Sequence, residues 1–183
     1  LAASIAPDSI LVGWRGRSTE EGVHRWFRRF NPTAFDETDI RSEAEALAHS
    51  ARQAISAYGL DAQELCWLGY SNGANMIAAL ALLHPDVVRQ AILLRGRSVL
   101  AAAGEPASLR GSRFLLVDGL SDAEHDDGRL QRQLQDAGAE LQVCAIDAGH
   151  DLREEDRDIA AAWLAGRLQP QSMGEGGETS AAE

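Results

Sequence analysis

The sequence predicts an α/β fold, in which a mostly parallel sheet carries helices on both faces. Short and continuously apolar runs alternate with longer segments whose apolar residues recur at helical spacing. Strands that are apolar throughout are buried on both faces, and strands separated by helices run parallel. The chain has 183 residues, of which 45% are hydrophobic, and this length suits one domain with a sizeable core.

Each predicted element has its own signal in the chain. We expect strands at residues 9–14, 64–68, 90–94, 113–117 and 141–146, and helices at residues 36–58, 71–84, 126–137 and 152–168. All five strands are apolar runs, and the helices are amphipathic stretches that Gly59, Pro85 and Gly138 end or stop. Residues 95–112 contain Gly, Ser and Pro and are expected to form a loop. The polar residues 169–183 are predicted to be a disordered tail, so the domain spans residues 1–168.

Composition excludes several classes of function. The formal net charge of -11 argues against a nucleic-acid or anionic-membrane partner, because both require a basic face. All 17 basic residues are arginine, so Schiff-base chemistry and a lysine-dependent phosphate loop are excluded. Cys66 and Cys144 lie in apolar runs and are expected to be buried thiols, and no metal cluster follows from two thiols. The chain has neither the ~20-residue apolar run of a membrane span nor a signal peptide, which predicts a soluble, cytoplasmic protein.

The motif GYSNGAN, residues 69–75, follows a predicted strand and opens a predicted helix. In this context the glycine-flanked Ser71 is typical of a nucleophile elbow, where Gly69 and Gly73 allow the strand and the helix to approach closely. The alternative is a turn of small residues that happens to contain a serine. If Ser71 is the nucleophile, the backbone N–H of Asn72, at the positive end of the helix, is a candidate oxyanion donor.

A serine nucleophile requires a base, and His150 is the candidate. It follows the last predicted strand in IDAGHDL, at the same sheet edge as Ser71, whereas a solvated or capping role suits the other four histidines better. The acid that orients it should lie between the serine and the histidine in this fold. Asp122 fits this position, with Asp118 as the reserve candidate, while Asp126 and Asp127 are expected to cap the next helix.

These motifs resemble the phospholipase/carboxylesterase family of α/β-hydrolases, in its small bacterial carboxylesterase branch. The resemblance rests on GYSNGAN, LSD and DAGHDL, preceded by RGRSTEEGVHRWFRRF, and covers about residues 5–168. It implies an α/β-hydrolase fold with Ser71 as nucleophile, Asp122 as orienting acid and His150 as base. It also implies that four residues of the arginine-rich and aromatic stretches line the substrate side: Arg15, Arg17, Phe27 and Arg28. A solvated surface, paired with carboxylates, is the alternative for the arginines.

The sequence departs from the family pattern in one respect. Family members begin with a further strand that carries a His-Gly-x-Gly-type loop, which completes the oxyanion hole, and no such stretch precedes Leu1. We therefore expect a natural protein that is longer at its amino end and a sheet here that lacks its first strand or strands. We also expect an open slot between the strands at residues 9–14 and 64–68.

The resemblance and the motifs together predict a serine hydrolase of carboxylic esters that acts through an acyl-enzyme. The expected partner is a small-molecule ester, and no cofactor or metal is required. Two alternatives remain: a thioesterase or lysophospholipase with the same residues, and a non-catalytic module that binds a ligand or partner.

Overall fold

The computed structural model describes residues 1–20, 22–31, 34–101, 108–125 and 127–168. In chain order the elements are α1 (Ala2–Ile5), β1 (Ser18–Glu20), β2 (Val23–Arg25), β3 (Arg29–Asn31), β4 (Ala34–Phe35), α2 (Glu37–Tyr58), β5 (Cys66–Tyr70), α3 (Asn72–Leu83), β6 (Gln90–Leu94), β7 (Arg113–Gly119), α4 (Arg129–Asp136), β8 (Glu140–Ile146) and α5 (Glu154–Leu164). A parallel sheet has the strand order β5-β6-β7-β8, and β1 with β2 and β3 with β4 form antiparallel ribbons. The predicted α/β architecture with a parallel sheet is confirmed.

Alternate side chains of the sheet face two separate apolar clusters. Leu93 and Leu116 belong to a cluster that includes side chains of α2, α3 and α4. Their neighbours Ile92 and Leu115 belong to a second cluster with residues of α1 and α5. All four side chains are at most 2% exposed. The helices therefore cover both faces of the sheet, and this burial explains why the central strands β6 and β7 are mostly apolar.

The long helix α2 begins and ends as its sequence predicts. The Asp36 side chain accepts a hydrogen bond from the backbone N–H of Asp39 at 3.1 Å, which caps the first turn. Gly59 ends the helix with a φ of +63°, a left-handed conformation that glycine adopts without steric cost. A single face of the helix is buried, through Ile40, Ala44, Leu47, Ala48 and Ala51.

The prediction of a strand at residues 9–14 is wrong. The structure has no strand there, and Ile10 is 90% exposed. No backbone hydrogen bond joins this segment to residues 64–68 within the described residues, so β5 is an edge of the sheet. A cavity of about 560 Å³ lies between the segment, α2 and β5. An apolar run becomes a strand only when a partner strand supplies its backbone hydrogen bonds. The expected slot between two strands is therefore a cavity between β5 and a segment, residues 9–14, that has no regular secondary structure.

Other boundaries also differ from the prediction, in β5, α4 and α5 among others. Strand β5 begins at Cys66 instead of residue 64 and continues through Tyr70. Helix α4 begins at Arg129, because Asp127 and Gly128 both have positive φ angles and cannot continue a helix. Asp127 is therefore not the cap that was predicted, and Asp126 lies outside the described residues, as does the predicted tail at residues 169–183. Helix α5 is shorter than predicted at both ends.

In the part of the chain that the structure describes, no helix is both long enough and apolar enough to cross a membrane.

The crossing of β5 and α3 depends on Gly69. A Cβ at this position would lie 2.6 Å from the backbone nitrogen of Ala74 and 2.7 Å from the carbonyl carbon and oxygen of Gly73. A Cβ at Gly73, by contrast, would lie 3.7 Å from Trp26 Nε1, which is ordinary van der Waals contact. The predicted close approach is confirmed for Gly69 and is wrong for Gly73.

We expect Gly69→Ala to lower the free energy of unfolding by about 1–3 kcal/mol, because the new methyl group meets backbone atoms that have to move. Urea denaturation measures this change. The matched control is Gly13→Ala, since no atom lies within 4 Å of a Cβ there. Equal unfolding midpoints for the two variants would contradict the packing argument.

Candidate active site

Ser71 lies on a strained turn between β5 and α3. Its φ of +51° and ψ of -119° are unusual for a residue with a side chain. Two backbone hydrogen bonds fix this conformation: the Ser71 N–H donates to Leu94 O at 2.8 Å, and the Ser71 carbonyl accepts from Asn75 N at 2.9 Å. The turn has the geometry of a nucleophile elbow, which exposes the serine side chain at the end of the strand.

The His150 ring lies between Ser71 and Asp122. Its Nε2 is 2.8 Å from Ser71 Oγ, and its Nδ1 is 2.9 Å from Asp122 Oδ2. The serine and the histidine are 79 positions apart in the chain. The His150 side chain is 32% exposed, whereas the Asp122 side chain is 6% exposed. The imidazole is thus partly exposed, while the carboxylate is largely shielded from water.

The pKa of the Asp122 carboxyl is lowered from its ordinary value. Burial by itself raises the pKa, but hydrogen bonds from the Glu124 backbone N–H and from His150, together with the charges of His150 and Arg95, outweigh burial. The Glu124 N–H donates to Asp122 Oδ1 at 2.8 Å, so each carboxylate oxygen has a partner. Asp122 therefore stays ionised throughout the neutral range.

The reserve candidate Asp118 lies beside a different histidine. Its Oδ2 is 4.0 Å from Nδ1 of His125, and the His125 side chain is 42% exposed. His84 is 3.4 Å from Glu45, and His24 and His49 are exposed. Of the five histidines, His150 is the one that the structure brings to Ser71.

Asn72 is the first residue of α3, so its backbone N–H has no intrahelical acceptor. Its side chain binds a different part of the molecule, because Asn72 Oδ1 accepts a hydrogen bond from the Trp26 N–H at 2.9 Å. The aromatic and arginine-rich segment is thereby attached to the turn that carries Ser71. Sequence reasoning missed this contact, since it considered only the Asn72 backbone.

The four residues expected on the substrate side lie in different environments. Arg17 binds both carboxylate oxygens of Glu43 at 2.9 Å. The Arg28 guanidinium is 2.9 Å from Asp36 Oδ2, and its side chain is 63% exposed. Phe27 is 1% exposed and belongs to the core, while Arg15 is exposed. The acidic partners on and next to α2 correspond to the alternative of a carboxylate-paired surface, and a substrate contact by these four residues stays a prediction.

Sequence reasoning also missed three residues around the His150 loop. The sequence predicts only a loop at Arg95, yet its side chain is fully buried against Asp156. The Tyr70 hydroxyl donates to the backbone carbonyl of His150 at 3.0 Å. The position of Arg95, directly after an apolar strand, was a usable signal, whereas nothing distinguishes Asp156 from the acidic residues around it.

Among the described residues, no group of three or more His, Cys, Asp and Glu side chains is placed to hold a metal ion.

The chain is similar to known hydrolases in sequence and in structure. It is 32% identical over 169 residues to "Putative hydrolase MhqD" of Bacillus subtilis (strain 168), a match that covers 89% of this chain and 82% of the relative. A carboxylesterase structure from Mesorhizobium loti superimposes with a TM-score of 0.86 at 40% identity, covering 90% of this chain and 79% of that one. The Bacillus cereus carboxylesterase gives a TM-score of 0.84 at 25% identity, covering 91% and 80%. No family model matches the chain.

These similarities extend over most of both chains. Sequence identity with the Bacillus subtilis relative and structural agreement with two carboxylesterases lead to the same assignment. The chain belongs to the family of α/β-hydrolases that includes these carboxylesterases and is a hydrolase of the carboxylesterase type.

Proposed function

We propose that the protein hydrolyses carboxylic esters through a triad of Ser71, His150 and Asp122. The observation that carries this proposal is the pair of contacts made by the His150 ring, at 2.8 Å to Ser71 Oγ and 2.9 Å to Asp122 Oδ2. A nucleophile, a base and an orienting acid joined in this order are the arrangement that acyl transfer by serine requires. Similarity to two carboxylesterases supports an ester as the substrate.

The reaction proceeds in two halves. Ser71 Oγ attacks the acyl carbon while His150 Nε2 takes its proton, and the tetrahedral intermediate then expels the alcohol, which receives that proton from His150. Water next attacks the acyl-enzyme, with His150 again as base, and the carboxylic acid departs as Ser71 Oγ recovers a proton. Asp122 stays ionised and stabilises the imidazolium in both halves.

The negative oxygen of the tetrahedral intermediate needs a donor close to Ser71. We assign the backbone N–H of Asn72 to this role, because it is the first N–H of α3 and lies at the positive end of the helix dipole. The orientation of the helix supports the assignment, since α3 begins directly at the nucleophile.

Ser71→Ala tests the nucleophile. We expect hydrolysis of 4-nitrophenyl acetate and labelling by a fluorophosphonate probe to be lost, because the substitution removes the oxygen that His150 Nε2 contacts. The melting temperature should stay within a few degrees of the parent, since one partly exposed hydroxyl contributes little to the core. The exposed Ser56→Ala on α2 is the matched control and should label like the parent. Turnover retained in Ser71→Ala would overturn the proposal.

Asp122→Asn tests the orienting acid. We expect kcat to fall by up to ~10⁴, because an amide holds the imidazole in the wrong tautomer and does not stabilise its charged form. Asp118→Asn is the comparison, and its rate should stay close to that of the parent, since Asp118 lies beside His125. Steady-state kinetics on the same ester measure both. A large loss in Asp118→Asn with a small loss in Asp122→Asn would exchange the two assignments.

The Asp122 carboxylate should also contribute stability that depends on pH. Since its pKa in the folded protein is lowered, the contribution is fully present above the ordinary value of ~3.9 and is lost as the pH falls through the lowered value. We expect the difference in unfolding free energy between the parent and Asp122→Asn to diminish as the pH falls below ~4, where the carboxylate becomes protonated. Urea denaturation at several pH values measures it, and a difference that grows as the pH falls below ~4 would contradict the assignment of the lowered pKa.

A further inference from the structure

Arg95 occupies an unusual place at the end of β6. Its φ is +52°, one of few positive values at non-glycine residues among those described. Its side chain and that of Asp156 are both 0% exposed, and they form a bidentate ion pair with distances of 2.7 and 3.0 Å. A buried ion pair of this kind contributes no more stability than well-packed apolar residues of the same volume. Strain and buried charge together at the functional edge of the sheet therefore call for a role other than stability.

The Arg95 guanidinium reaches the loop that carries His150. Its Nε donates to the carbonyl of Gly149 at 2.9 Å, and Nη2 lies 3.4 Å from the carbonyl of Asp151. A third donor, Nη1, binds the carbonyl of Val117, near the carboxyl end of β7, at 3.2 Å. One side chain thus joins the ends of two strands to the residues on either side of His150.

Tyr70 binds the backbone carbonyl of His150, which Arg95 does not contact. Its hydroxyl donates to the carbonyl of His150 itself at 3.0 Å, and its ring centroid is 5.5 Å from that of the imidazole. The carbonyls of residues 149, 150 and 151 therefore each face a side-chain donor from the end of β5 or β6. Asp156 completes the connection, because it also accepts the Arg153 N–H at 2.7 Å at the start of α5.

We infer that Arg95, held by Asp156, and Tyr70 are positioning residues that fix the backbone of the His150 loop. The inference rests on the proposed function, because it concerns the distances of the imidazole from Ser71 and Asp122. Residues 147–153 belong to neither a strand nor a helix, so no sheet or helix hydrogen bonds hold the imidazole in place. Side-chain donors replace them, and a displacement of ~1 Å at a reacting group costs ~10² in rate.

Two variants test the inference. Tyr70→Phe removes one hydroxyl and keeps the ring, and Arg95→Lys keeps the charge beside Asp156 but loses the planar set of donors. The matched controls are Tyr58→Phe, at an exposed tyrosine, and Arg52→Lys, at a surface arginine that is paired with Asp86. We expect kcat for 4-nitrophenyl acetate to fall ~10-fold in Tyr70→Phe and ~10² in Arg95→Lys, with KM within twofold. Both controls should keep the parent kcat.

A second measurement separates positioning from general destabilisation. The proton between His150 Nδ1 and Asp122 gives a low-field ¹H NMR resonance when the pair is held closely and shielded from water. We expect this resonance to weaken or disappear in both variants at a temperature where circular dichroism shows them folded. Tyr70→Phe is expected to fold, since it removes only a hydroxyl, so it tests the inference even if Arg95→Lys does not fold.

The outcomes distinguish this inference from the proposed function. Fluorophosphonate labelling of the parent that is lost in Ser71→Ala supports the proposed function. A lower kcat and a lost resonance in Tyr70→Phe and Arg95→Lys then support the positioning inference as well. An unchanged kcat and resonance in Tyr70→Phe overturn the role of Tyr70, and the same result in a folded Arg95→Lys overturns that of Arg95. Turnover that survives in Ser71→Ala overturns the proposed function instead, whatever the variants do.

Discussion

The parallel hydrogen-bond ladder of β5, β6, β7 and β8 is the constraint on which the candidate site depends. The register is in step at the carboxyl ends, where Tyr70 pairs with Leu94 and Leu94 pairs with Val117. Because all four strands point the same way, the residues that follow them meet at the carboxyl end of the sheet. Positions as distant in the chain as Ser71 and His150 come within hydrogen-bond distance only because the ladder brings these strand ends level.

The ladder also holds the strain at this end of the sheet. Ser71 and Arg95 follow neighbouring strands, and both have positive φ angles although neither is glycine. In both cases the backbone N–H continues the ladder, from Ser71 to Leu94 O at 2.8 Å and from Arg95 to Val117 O at 2.9 Å. The Ser71 side chain is partly exposed, whereas the Arg95 side chain is buried. Strain of about 1–3 kcal/mol per residue persists where surrounding hydrogen bonds over-determine the conformation, and the ladder supplies such bonds here.

The sequence predicted the sheet and the proximity of the three candidate residues, because both follow from local patterns. Apolar runs mark buried strands, and GYSNGAN and DAGHDL stand directly after two of them. The strand at residues 9–14 failed because hydrophobicity alone does not show whether a pairing partner is within reach. The ion pair between Arg95 and Asp156 could not be predicted from the sequence for a related reason. It joins residues 61 positions apart, and no periodic pattern links them.

Loops at this end of the sheet have no strand pairing of their own, and polar side chains supply hydrogen bonds to them instead. Asn72 Oδ1 accepts the Trp26 N–H, and one helical turn later Asn75 Oδ1 accepts the Arg97 N–H at 2.7 Å. Each amide oxygen satisfies a loop N–H that would otherwise lose its hydrogen bond to water on burial, at a cost of ~1–3 kcal/mol. The first turn of α3 thus anchors a loop on either side of Ser71, just as Arg95 anchors the loop of His150. Polar side chains that follow the strands therefore hold the loops around the candidate site in fixed positions. This role explains why asparagine and arginine are buried beside the candidate nucleophile in a chain whose core is otherwise apolar.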